Sequence, residues 1–270
     1  MRVMSETEPE RVTSADGTSI VFDRSGTGPA VVLVHGAFTG RTHPILSEVA
    51  AILARWFTVF NYDRRGRGDS GDIQPYAVGR EVEDLAALVE IAGGSAMVFG
   101  GSSGAGLVLH AAAQNPAISK LALWEPPYHV DESAPRLPHD FAAQLDALVR
   151  SGRRADAVKL FMVEAAAVPA DAVAAMRLQP SWPSIEAVAH TLSYEAAVMG
   201  PGNALPAEVL AAITQPVLVL TGGNSPEWIT KAGEAVAGTI PGAVHRVLDG
   251  QAHSVSPTAL VPELLQFFAA

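Results

Sequence analysis

Cysteine is absent from the 270 residues, which excludes disulfide staples, thiolate metal sites and a thiol nucleophile together. Cations are in deficit, with 18 Lys and Arg against 28 Asp and Glu and a formal net charge of −10. Nucleic acid is held by clustered cations that release counterions, so this balance argues against such a partner. Long apolar runs are missing too. The longest stretch without a formal charge, around Ser102, is broken by Gly and Ser and reads as strand plus helix rather than as a bilayer span. The segment Met1–Glu10 is acidic and has no apolar signal-peptide core. A cytoplasmic protein with no membrane partner is expected. No H-x-x-x-H pair and no G-x-x-x-x-G-K loop occurs, so neither a metal nor another cofactor is implied.

Hydrophobic residues make up 49% of the chain and charged ones 17%, enough to bury a substantial core and unlike a disordered segment. Arg11–Ser14 and Ser19–Asp23 flank Asp16-Gly17, a hairpin signal. Ala30–Val34 is an unbroken apolar run of the kind buried on both faces of a parallel sheet. Pro44–Trp56 carries Ile45, Val49, Ile52 and Leu53 at helical spacing, Phe57–Tyr62 reads as a strand, and Val78–Ala92 as a second amphipathic helix. Strands at Ser95–Gly100 and Leu121–Trp124 continue the alternation. It then stops. From Glu125 to about Ala212 there are Pro-bounded helical stretches, Phe141–Arg150 and Ala155–Ala166 among them, and no convincing strand. Pro216–Thr221 and Val244–Leu248 resume the sheet, followed by a helix near Pro262–Phe268. The expectation is an α/β fold: a mostly parallel sheet of about eight strands with helices on both faces. Core segments would span 1–125 and 213–270, with a helical cap at 126–212 inserted before the last strands.

Gly100-Gly101-Ser102-Ser103-Gly104 ends one of these strands and opens an Ala-rich helix, fitting G-x-S-x-G. A serine forced into a strained turn crowds the residues two before and two after it, so only small ones fit there. A register one residue later would centre on Ser103, and a non-catalytic glycine turn of the nucleotide-binding kind is a further alternative, against which no second half of a dinucleotide motif is present. A serine hydroxyl needs a general base, and that base an orienting group. Of eight histidines, only His35 and His253 directly follow core strands with glycine nearby. His35 suits holding its turn better than carrying protons. Arg64, Arg65 and Arg67 form the one basic cluster, and with Asp63, Asp69 and Asp72 close by in sequence, loop-bracing ion pairs are expected over an anion site.

With Val34-His35-Gly36-Ala37, Tyr62–Ser70, the elbow Gly100–Gly104 and Gly250-Gln251-Ala252-His253 in that order, nearly the whole chain resembles an α/β-hydrolase. The resemblance implies Ser102 as nucleophile, His253 as base, and an oxyanion hole from the backbone N–H groups of Ser103 and Ala37. Many relatives carry the triad acid shortly after the strand that follows the cap, but the matching position here looks like Ser225, which cannot carry charge. Some place it after the preceding strand, where this chain has Glu125 ahead of Pro126-Pro127. Glu125 is therefore expected to be the acid, with Glu227 and Asp249 as substitutes. Phe38, Trp182, His190, Tyr194 and Met199 are candidates for a substrate pocket, though packing of the cap explains most of them equally well. The expected activity is cleavage of a carboxylic ester or related acyl bond of a small molecule. Carbon–carbon hydrolysis, lactone opening, perhydrolysis and a non-enzymatic ligand-binding role stand as alternatives.

Overall fold

In the computed structural model, which describes residues 8–270, one eight-stranded sheet carries the molecule. Its strands are β1 (Glu10–Thr13), β2 (Ser19–Ser25), β3 (Ala30–Val34), β4 (Thr58–Tyr62), β5 (Ala96–Gly101), β6 (Ile118–Trp124), β7 (Val217–Gly222) and β8 (Val244–Leu248). The spatial order is β1-β2-β4-β3-β5-β6-β7-β8. The first two strands join antiparallel, and β4 through β8 are all parallel.

The helices between strands are α1 (Pro44–Leu53), α2 (Val78–Ile91) and α3 (Ser103–Ala112). Between β6 and β7 lie α4 (Phe141–Arg150), α5 (Arg154–Leu160), α6 (Ala170–Met176), α7 (Trp182–Ala187), α8 (Leu192–Met199) and α9 (Ala207–Ala211), and α10 (Glu227–Thr239) and α11 (Pro257–Ala269) complete the set. Alternation along β3 divides the core. Val32 and Val34 pack with α2, α3 and α10 on one face, and Val31 and Leu33 with α1 and α11 on the other. Both faces of the sheet are thus covered, as a parallel sheet requires. None of the described helices is long and apolar enough to cross a membrane.

The helical insertion has an apolar cluster of its own, including Phe141, Leu145, Val158, Met162, Trp182 and Leu192. Helix α8 belongs to both bodies: Leu192 and Ala196 join that cluster, while Val198 and Met199 join the sheet's core. The single helix expected over 155–166 is two pieces, because after Leu160 the turn widens into a π-helical segment, Phe161–Ala165. Helix α10 buries Trp228, Ile229, Ala232, Gly233 and Val236, which recur at helical spacing.

Parallel register brings the strand ends to one edge. Val34 pairs with Gly100, Gly101 with Trp124, Trp124 with Leu220, and Gly222 with Leu248. The residues that follow these strands, namely His35-Gly36, Ser102, Glu125, Ser225 and His253, therefore share the carboxyl edge of adjacent strands, where open α/β sheets bind their ligands.

Candidate active site

Gly101 ends β5 and Ser103 begins α3, so Ser102 alone turns the chain, with φ 56° and ψ −130°. For a residue with a Cβ that conformation costs about 1–3 kcal/mol. Its neighbours are small for a measurable reason. A Cβ on Gly100 would lie 2.8 Å from the Gly104 carbonyl oxygen, and one on Gly104 would lie 2.6 Å from that of His35. The elbow also packs on the turn after β3, since a Cβ on Gly36 would come within 2.9 Å of the Ser102 Cβ. Ser103 lies buried in the first turn of α3, where its N–H has no intrahelical acceptor.

Glu125 follows β6 with φ 47° and is completely buried. Its Oε1 accepts hydrogen bonds from the Gly222 N–H at 2.8 Å and the Ser225 hydroxyl at 2.5 Å, and its Oε2 lies 2.6 Å from His253 Nδ1. A backbone amide, a hydroxyl and an imidazole suit a carboxylate that can only accept. The Trp124 indole N–H donates to the His253 carbonyl at 2.9 Å, and the Asn224 N–H to that of Gln251 at 2.8 Å. Gly222 admits this loop, because a Cβ there would stand 2.4 Å from the Gln251 oxygen. With Nδ1 donating to Glu125, Nε2 keeps its lone pair for a proton. Glu227 instead pairs with Lys231 at 2.8 Å, and Asp249 is exposed in the turn after β8.

Ser102, Ser103 and His253 line one cavity of about 230 Å³. Among the described residues no direct hydrogen bond joins Ser102 to His253; such contacts commonly tighten only when substrate binds. Apolar groups dominate the walls, including Phe141, Phe161, Val168, Met199, Trp228 and Ile229, and Glu195 and Asn203 supply polar ones. Among the described residues no Lys or Arg lines it. Of the residues expected in a pocket, Met199 is in the wall. Phe38, at φ 62°, meets the wall residue Phe161 edge-on at 5.5 Å. The other three are placed elsewhere. Trp182 packs inside the insertion, and its indole bonds Glu186. Tyr194 stacks on Tyr76 with ring centroids 3.8 Å apart and donates to Asp72 at 2.9 Å, and His190 meets Tyr194 edge-on. Phe141, Phe161 and Trp228 carried no signal beyond apolar spacing, and Glu195 none at all.

The arginine cluster is buried, and its partners are not the neighbouring aspartates. Arg64 grips Glu81 through two bonds of 2.7 Å and reaches Glu195 at 2.9 Å. Arg65 pairs with Asp84 at 2.6 Å and Asp16 at 2.9 Å, and Arg67 pairs with Glu195. Asp63 and Asp69 instead hold Arg41, and Asp72 accepts from Tyr194. Buried guanidinium groups need desolvated counter-charges, which here come from helices α2 and α8 and, for Arg65, also from the β1–β2 turn. Burial opposes charge on Arg64, but Glu195 and Glu81 hold its pKa well above the usual arginine value. Burial wins at Arg67, which sits below that value despite Glu195.

These arginines hold the turn after β3. Arg64 donates to the His35 carbonyl at 3.1 Å, and Arg67 to those of Gly36 and, at 3.1 Å, Thr39. His35 is fully buried 2.7 Å from the Asn61 side-chain oxygen, and burial pushes its pKa down to about 3, so it braces the turn as a neutral ring.

Residues 31–263 match the family described as the alpha/beta hydrolase family. The chain belongs to that family. The crystal structure of an alpha/beta hydrolase from Sphaerobacter thermophilus DSM 20745 is 54% identical in sequence, with a TM-score of 0.90 over 96% of this chain and 100% of that one. An esterase from Rhodococcus sp. ECU1013 shares the fold at 22% identity, with a TM-score of 0.71 over 98% of this chain and 99% of that one. The uncharacterized hydrolase YraK of Bacillus subtilis (strain 168) is 38% identical over 104 residues, which is 37% of this chain and only 38% of that relative's length.

Proposed function

We propose that this alpha/beta hydrolase is a serine hydrolase that cleaves a carboxylic ester or related acyl bond of a small, apolar molecule. The observation that carries the reading is the Glu125–His253 hydrogen bond at 2.6 Å, with His253 and the strained Ser102 lining one cavity. His253 Nε2 takes the Ser102 hydroxyl proton as the oxygen attacks the carbonyl carbon. The N–H groups of Ala37 and Ser103 receive the developing oxyanion. Collapse of the tetrahedral species expels the alcohol, which leaves with the proton from His253. Water then repeats the sequence on the acyl-enzyme, and the free acid departs. Glu125 holds the imidazole in the tautomer this needs and stabilises its charged form.

The cavity walls support the substrate's character. An apolar cavity of about 150 Å³ can take a benzene ring, so about 230 Å³ suits a somewhat larger uncharged group. The test is turnover of p-nitrophenyl butyrate by the wild-type protein and by Ser102→Ala. Loss of activity by a factor of 10³ or more supports the reading, and unchanged hydrolysis defeats it.

A further inference from the structure

One side chain in the cavity wall belongs to the helical insertion and yet touches the machinery of the sheet edge. Glu195, on α8, is completely buried, and its two carboxylate oxygens pair with different arginines, Arg64 and Arg67. Both arginines in turn donate to the turn after β3: Arg64 to the carbonyl of His35, Arg67 to those of Gly36 and Thr39. The peptide that joins Gly36 to Ala37 therefore has its oxygen held by Arg67 and its nitrogen at the position read as an oxyanion donor. A rotation of that peptide plane moves both ends at once, because the six atoms are rigid.

The charges in this group balance. Arg64 and Arg67 face Glu81 and Glu195, all buried. Glu81 is committed to Arg64 through both oxygens and also accepts from the Tyr76 hydroxyl at 2.9 Å. Arg67 has Glu195 as its carboxylate partner, and its remaining donors go to backbone oxygens and to the Thr191 hydroxyl at 3.3 Å. Thr191 also belongs to the insertion, immediately before α8. The guanidinium that fixes the oxyanion turn is thus itself oriented by α8, the helix shared between the insertion's core and the sheet's core.

We propose that Glu195 is a positioning residue: through Arg67 it sets the Gly36–Ala37 peptide for oxyanion binding, so the seating of the helical insertion governs transition-state stabilisation as well as substrate access. The inference rests on the serine-hydrolase reading above. Loss of a plain wall residue would alter substrate binding, and loss of a plain structural ion pair would alter stability alone.

The experiment compares wild type, Glu195→Gln and Arg67→Lys, using p-nitrophenyl butyrate for turnover and butylboronic acid as a mimic of the tetrahedral intermediate. Loss of one oxyanion donor costs about 10²–10³ in kcat. A displaced donor is expected to cost about 10- to 100-fold in kcat at near-constant KM, with the boronate inhibition constant weakened by a similar factor. Butyramide, a ground-state mimic, should bind all three proteins alike. Arg67→Lys keeps the charge but lacks the fork that spans two carbonyls, so it should show the same signature even where Glu195→Gln fails to fold, and Glu195→Asp should recover part of the rate. A folded Glu195→Gln or Arg67→Lys with wild-type kcat and boronate affinity overturns the proposal, as does a change confined to KM. Those results leave the serine mechanism standing. A wild-type protein that neither turns over the ester nor binds the boronate overturns both.

Discussion

Ser225 donates its hydroxyl to Glu125 Oε1 at 2.5 Å, the carboxylate oxygen that does not face His253. The chain position at which many relatives carry their acid thus holds a residue that hydrogen-bonds Glu125, the carboxylate proposed as the acid. Glu125→Gln removes the charge opposite His253 while keeping its shape, and should lower kcat by up to about 10⁴-fold. Adding Ser225→Asp to that variant should restore part of the activity, since the new carboxylate starts from a position already in contact with residue 125. Steady-state kinetics on the single and double variants decide this, and Glu125→Gln at near wild-type rate excludes Glu125 from the role.

Gly104 is the tightest steric point between the elbow and the strand beside it. A methyl group there would lie 2.6 Å from the His35 oxygen and 2.7 Å from that of Val34, both backbone atoms that cannot swing aside. Gly104→Ala should destabilise the fold by about 1–3 kcal/mol, as overpacking does, and should lower kcat through the shifted serine. Gly79→Ala, at a helical glycine with open space around it, is the control and should be neutral or slightly stabilising in urea unfolding.

The buried neutral His35 makes stability depend on pH. Its folded pKa, about 3, lies below the ordinary histidine value of 6.5, so between these limits the unfolded chain binds the proton and the folded one does not. Stability is therefore full above pH 6.5 and falls as the pH drops below it, by about 1.4 kcal/mol per pH unit for this group. His35→Gln should be less stable than wild type at pH 7, and the gap should narrow at pH 5. A gap that stays constant across that range contradicts the assignment.

Charge in the substrate should be penalised. Among the described residues the cavity wall holds Glu195 but no lysine or arginine, and an unpaired charge moved into an apolar site loses hydration without recompense. An aryl butyrate should exceed the matching aryl hemisuccinate in kcat/KM by about tenfold or more, which corresponds to about 1.4 kcal/mol. Equal rates would show that the charged end never enters the cavity. Among neutral acyl groups, rates should decline once the chain outgrows the cavity, and a series of p-nitrophenyl esters measures that limit.

Much of the sheet was legible because its signals are local. Ala30–Val34 and Val244–Leu248 coincide with observed strands, and Phe141–Arg150 with a helix, since β-branched runs and helical spacing need no distant partner to be read. Ser102, Glu125 and His253 were legible as residues following strands, and the parallel register gathers them at one edge. What lay hidden depends on contacts across the chain. The aspartates adjacent to Arg64, Arg65 and Arg67 look like their partners by proximity, whereas Glu81, Asp84 and Glu195 reach them only after folding. Tyr194 and His190 share α8 and its approach with wall residues, yet rotation about the helix turns them toward Asp72 and Tyr76. A helix face is readable in one dimension, but which body that face meets is not.

A fluorophosphonate probe tests most directly whether Ser102 is the nucleophile, as proposed. After labelling, proteolysis and mass spectrometry should place one adduct on Ser102. Ser102→Ala should abolish labelling, Ser103→Ala should retain it, and His253→Ala should slow it severely, because the base has gone. An adduct on Ser103, or no adduct in a folded wild-type protein, would contradict the account.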